Sequence, residues 1–158
     1  MSTDLPVPLA VTDQPTGCAV TAHLLPFHQL GRWLILRTAR DHSRWQLPGG
    51  RIRPGESPRQ AAEREAHEET GLDLPAREFL IASWIPGNRR DRLALLFATR
   101  TLTDADLDAI TLQTSEVDAW SLTAPAAADL PVHPLLAERL TALATLGPGH
   151  YLEQLRCP

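Results

Sequence analysis

Residues Gly50 to Leu72 read GRIRPGESPRQAAEREAHEETGL, and this stretch sets the frame for the whole 158-residue chain. Ser57-Pro58 is a helix start, with a capping hydroxyl followed by proline at the first helical position. Gly71 is a natural terminator. Together they predict a helix over about 58–70. Within it Glu65, Glu68 and Glu69 fall three and four residues apart, which stacks their carboxylates on one face within a turn. Like charges so placed repel by about 0.2–0.5 kcal/mol per pair, so the cluster gains nothing unless a cation sits among it. Clustered hard oxygens suit Mg²⁺, with Mn²⁺ as an alternative. Ala61, Ala62 and Ala66 offer a small-residue face for close packing on a sheet.

Written as a pattern, the segment is Gly50-x5-Glu56-x7-Arg64-Glu65-Ala66-x-Glu68-Glu69-x-Gly71-Leu72. It resembles the signature of the Nudix hydrolases, Gly-x5-Glu-x7-Arg-Glu-U-x-Glu-Glu-x-Gly-U, where U is a bulky aliphatic residue. All seven fixed residues are present, a match expected by chance about once in 10⁸ starting positions at ordinary residue usage. Ala66 departs from the pattern at a U position, which touches the packing of the helix and not the ligand set.

The resemblance implies an α/β fold: an α/β/α sandwich with a mixed central β-sheet and the motif as a loop-helix-loop. It also implies a divalent metal and attack of water on phosphorus in a diphosphate substrate. By resemblance, Glu65 and Glu69 are the first metal ligands, followed by Glu68. Glu56 approaches from the preceding loop, and the Gly50 carbonyl contributes. Arg64 is assigned to orienting a glutamate through a bidentate pair. Glu116 is a further candidate base or ligand, because some members use a glutamate on a later loop. Which glutamate takes the proton of water stays open.

Composition bounds the rest. At 43% hydrophobic and 22% charged residues the chain is that of a soluble globular protein of one domain. Such a domain can bury roughly 68–70% of its unfolded surface without a covalent staple. The net charge of −4 argues against nucleic acid as a partner. Every basic residue is arginine, which excludes Schiff-base chemistry, a Walker-type lysine and a Ser-Lys dyad. Cys18 and Cys157 have no disulfide or CxxC spacing and read as one core thiol and one tail thiol. With no visible signal peptide and no apolar run long enough for a bilayer, a cytoplasmic protein without a membrane partner is expected.

The expected organisation is an irregular segment over 1–16, a single Nudix-like domain over 17–147 and a tail over 148–158. Strands are expected at 18–25, 32–37, 79–85, 93–99 and 117–122, with a second amphipathic helix over 133–146. Arg51-Ile52-Arg53 reads as a tight loop or short strand. Asp104, Asp106 and Asp108 read as a polar loop. Arg89, Arg90 and Arg92 have two readings, a site for a substrate phosphate and, ahead of it, a wet hairpin tip. His42 and His67 read as surface residues, and Trp33, Trp45 and Trp84 as core packing ahead of stacking on a base. The substrate class is a small-molecule diphosphate, with nucleoside triphosphates and nucleoside diphosphate sugars weighted alike. Pro86, fifteen residues after Gly71, resembles the proline segment of ADP-ribose pyrophosphatases, a weak marker. A homodimer is compatible with the family. The rival reading is a catalytically silent module of the same fold that binds a nucleotide without cleaving it.

Overall fold

The computed structural model describes residues 17–87, 90–124 and 132–154. The segment expected to be irregular over 1–16, Arg89 and Cys157 lie outside the described residues. Two sheets form the middle layer. The larger runs in the order β5-β1-β7-β6-β9, from β5 (Gly49–Arg51), β1 (Ala19–Leu25), β7 (Arg92–Ala98), β6 (Phe79–Ile85) and β9 (His150–Glu153). It is mixed: β1 pairs parallel with β7 and β6 parallel with β9, while β1–β5 and β6–β7 are antiparallel. The smaller sheet centres on β3 (Arg32–Thr38), which pairs β8 (Val117–Thr123) over Trp33 to Thr38. Since a strand has two edges, β2 (Phe27–His28) and β4 (Trp45–Gln46) share the other edge at its two ends.

Alternation along β3 shows why the sheets are covered on both faces. Leu34 and Leu36 enter one core with Ala22, Leu24 and Phe97, whereas Trp33 and Ile35 enter another with Ile81 and Leu96. A continuous apolar run, rather than an alternating one, is what a strand buried on both sides requires. The first core is closed by α1 (Pro58–Thr70), whose Ala61, Ala62 and Ala66 are fully buried. Ala66 at the atypical motif position is thus a packing residue, and its small side chain suits close contact with the sheet. The second core is closed by α3 (Pro134–Leu146) through Leu136 and Leu140. Helix, mixed sheet and helix make the α/β/α sandwich.

The ends of α1 follow from local chemistry. Ser57 Oγ accepts from the Gln60 N–H, Gln60 Oε1 accepts from the Ser57 N–H, and Pro58 opens the first turn. Gly71, at φ 73, caps the other end by donating to the His67 carbonyl.

Three expectations are corrected. Asp104–Asp108 is a short helix, α2, because Thr103 and Asp106 cap one another and Arg100 pairs with Asp106 at 2.6 Å. Cys18 is exposed, one residue before β1, and is not a core thiol. The stretch set apart as a tail contributes β9, so the sheet extends past Gly147. Of the two readings offered for the segment before the helix, the short strand holds, shifted to Gly49–Arg51, which pairs with β1. His42 and His67 are surface residues, held by Asp118 and Asp73. No helix among the described residues is long and apolar enough to cross a membrane.

Candidate active site

Three backbone devices aim α1 at its neighbours. Gly49 has φ 143, and a Cβ there would come within 2.4 Å of the Ala22 carbonyl oxygen. Its N–H donates to Glu69 Oε2 at 3.0 Å. A Cβ at Gly50 would come within 2.6 Å of the Glu65 carboxyl carbon. The two glycines therefore let carboxylates of α1 approach the β5 backbone. On the far side, the loop after α2 docks on the end of α1, where Thr111 and Gln113 donate to the Thr70 and Glu69 carbonyls. Gln113 then accepts from the Glu116 and Val117 N–H groups. This turn carries Glu116 close enough for its charge to act on Glu69.

Glu69 is 3% exposed. Its oxygens are met by two neutral donors, the Gly49 N–H and Gln46 Nε2 at 3.2 Å. Burial pushes its carboxyl up to about 8, and the charges of Glu65 and Glu116 push in the same direction. The three other acidic residues of the motif are tied together by Arg64. Its Nε and Nη2 fork onto Glu56, its Nη1 reaches Glu65 at 2.8 Å and Glu68 at 3.1 Å, and Nη2 also donates to the Arg51 carbonyl. Glu68 takes a second guanidinium from Arg53. Arg64 therefore holds the Glu56 carboxyl down to about 2. Among the described residues no group of three or more His, Cys, Asp or Glu side chains is preset around a common point.

The donor set nevertheless fits a divalent cation. Among the described residues Glu69 is a buried carboxylate in no ion pair, and the charges of two further carboxylates bear on it. That arrangement is costly on its own and is relieved by a hard cation.

A pocket of about 400 Å³ adjoins this cluster, and Gln46, bonded to Glu69, forms part of its wall. His23, Arg44, Trp45, Arg92, His133 and Arg139 also line it. Sequence reasoning missed His23, Arg44, His133 and Arg139 as site residues, since no spacing rule links them. Trp45 is half-buried against the second core and lies under the Arg37 guanidinium, while Trp33 is a core residue. Arg92, at the start of β7, is exposed as expected and also lines the pocket. Burial holds the His23 imidazole down to about 4, with Arg139 adding to the effect. Burial also lowers His133, together with the charges of Arg44, Arg92 and Arg139.

A buried acidic helix with its preceding glycine loop, on a mixed sheet between two helices, defines a class. The NUDIX domain family model matches residues 19–143, and the chain belongs to that family. It is 35% identical over 96 residues to the RNA pyrophosphohydrolase of Mesorhizobium japonicum, covering 49% of this chain and 54% of that protein. A Bacillus subtilis relative, whose provisional name is 8-oxo-dGTP diphosphatase, is 53% identical over 40 residues, 25% of this chain and 27% of that protein. The chain thus spans about half or less of the length of these curated relatives. The crystal structure of a MutT protein from Methanosarcina mazei superposes with a TM-score of 0.72 at 18% identity, covering 85% of this chain and 97% of that one. A C. elegans Ap4A hydrolase superposes with a TM-score of 0.64 at 20% identity, covering 81% and 96%. These two likenesses concern the fold.

Proposed function

We propose that the protein hydrolyses a phosphoanhydride bond in a small diphosphate-linked substrate, a nucleoside triphosphate or nucleoside diphosphate derivative. The observation that carries this reading is Glu69: a buried carboxylate in no ion pair among the described residues, acted on by the charges of Glu65 and Glu116, and joined through Gln46 to a pocket of substrate size. The names of the relatives, a diphosphatase and a pyrophosphohydrolase, support the same reaction class.

Glu65, Glu68 and Glu69 would hold Mg²⁺ or Mn²⁺, with Glu56 and the Gly50 carbonyl as further ligands. When bound, such an ion lowers the pKa of water and neutralises charge on the departing phosphate. The chain's own residues then have distinct tasks. Glu69 is fixed by the Gly49 N–H and Gln46, so its carboxylate cannot rotate away. Arg64 sets the spacing of Glu56, Glu65 and Glu68 and tempers their repulsion. Glu69, from a buried position, and Glu116, from an exposed loop, are candidates to accept a proton from the attacking water, and which glutamate does so stays open. The pocket receives the group attached to the diphosphate and excludes water from one side of it. A reducing, cytoplasmic setting completes the reading, and a homodimer is compatible with it.

The test is release of phosphate or pyrophosphate from a diphosphate panel in the presence of Mg²⁺ or Mn²⁺. Glu69→Gln should lower turnover by about 10²–10⁴-fold with the fold intact. Full turnover in that variant would remove Glu69 from the mechanism, and silence toward the whole panel would leave a nucleotide-binding module.

A further inference from the structure

Four arginines, Arg40, Arg44, Arg92 and Arg139, line the pocket against a single acidic residue, Asp41. The concentration is notable in a chain of net charge −4. Asp41 is committed to Arg44, Oδ2 to Nε at 2.9 Å. Arg139 is largely enclosed, and among the described residues its only engaged nitrogen is Nε, which donates to Gln154 Oε1 at 2.9 Å. Arg92 has no ion pair or side-chain hydrogen bond among the described residues. Arg139 is nevertheless brought down to about 10, by burial first and then by the charge of Arg92, with Glu138 acting in the opposite direction. The charges of Arg44, Arg92 and Arg139 all reach His133 at the start of α3. His133 Nδ1 accepts from the Leu135 N–H, so the neutral ring carries its proton on Nε2 and is a donor there.

A brace for Gln154 needs one guanidinium nitrogen, and a base-stacking pocket needs no cation. Two guanidiniums that repel each other in a shared cavity, with the charge of Glu138 only partly offsetting that of Arg139, are relieved by an oxyanion, which each can meet with paired N–H donors. We infer that this pocket binds a second phosphate group of the substrate, separate from the anhydride that is cleaved. The inference rests on the hydrolase reading above and names its substrate class: diphosphates whose far end carries a phosphate monoester or a further polyphosphate.

Calorimetric titration of the whole protein with inorganic pyrophosphate in EDTA isolates the pocket, because the metal-free carboxylates repel the probe. Binding that weakens steeply with salt is expected. It should fall about tenfold or more in Arg92→Gln and Arg139→Gln and survive better in Arg139→Lys. Arg92 is exposed, so its variant tests the charge without disturbing the core. Pyrophosphate binding that is absent, or indifferent to Arg92→Gln and Arg139→Gln, overturns the proposal. In turnover with Mg²⁺, a substrate bearing the distal phosphate should show a KM about tenfold below its dephosphorylated partner, and Arg92→Gln should narrow that gap. Equal KM values also overturn it. Failure of every diphosphate to react counts against the hydrolase reading, whereas arginine-independent anion binding counts against the pocket.

Discussion

Gly49 and Glu69, twenty residues apart in the chain, are joined by a 3.0 Å hydrogen bond from the Gly49 N–H to Glu69 Oε2. The bond exists because a glycine at φ 143 lets the β5 backbone lie against both β1 and α1. It also fixes the orientation of a carboxylate whose burial would otherwise be uncompensated on that side.

Alanine at the two adjacent glycines should therefore have different consequences. At Gly49 the new Cβ meets backbone, the Ala22 carbonyl oxygen and the His23 Cα at 2.4 and 2.5 Å. Gly49→Ala should lose about 2–4 kcal/mol in denaturant unfolding. At Gly50 the new Cβ meets only the Glu65 carboxyl group, the end of a side chain that can swing aside. Gly50→Ala should keep its stability to within about 1 kcal/mol. Its turnover should fall about 10²-fold, because Glu65 is displaced. A fully active Gly50→Ala enzyme would show that the position of Glu65 is not used.

Glu69 links activity to a pH-dependent cost. Its folded value near 8 lies above the ordinary 4.5, so the fold favours the protonated carboxyl. That preference stabilises the metal-free protein fully below about pH 4.5 and is lost as pH rises through about 8. Glu69→Gln imitates the protonated form. In EDTA its Tm should exceed the parent's by several degrees above pH 8, the gap closing toward pH 5. A gap of equal size at every pH would show that the charge is not its source.

Glu116 is an exposed loop residue whose charge helps raise Glu69. Glu116→Gln should lower the midpoint of the Glu69 transition in the Tm–pH profile of the metal-free protein. No movement of that midpoint would separate Glu116 from the cluster.

Arg64 is the shared partner of Glu56, Glu65 and Glu68. Arg64→Lys keeps the charge but loses the planar fork that spans Glu56 and the Arg51 carbonyl. Its kcat should fall about 10–10²-fold, since the carboxylates lose their spacing. Arg64→Ala should also release Glu56 from about 2 toward an ordinary carboxylate value. Glu56 favours the fold when ionised, so this contribution is present above about pH 4.5 and lost as pH falls through about 2. The acid limb of the Tm–pH profile should therefore become shallower between about pH 4.5 and 2 in Arg64→Ala, from a lower Tm at neutral pH. An acid limb of unchanged steepness would mean that Arg64 does not hold Glu56.

Elements with their own punctuation were legible in the chain. The helix over Pro58–Thr70 is bounded by Ser57-Pro58 and Gly71, and β6 spans the expected Phe79–Ile85. Elements that depend on distant partners were not. The five-residue α2 has too few turns for periodicity to show and exists through Thr103, Asp106 and Arg100. β9 is exposed along most of its length and is a strand because β6 offers it an edge.

The chain by itself determined the acidic face of α1, the glycines before it and the family they denote, because capping, helical period and motif spacing are local properties. Tertiary structure alone decided that Glu69 is buried, that the charge of Glu116 acts on it, and that Arg92, His133 and Arg139 line one pocket. Those residues lie on strands, loops and helices far apart in sequence. Parallel pairing of β1 with β7 and closure of α3 over the second core bring them together, and no short-range pattern encodes that meeting.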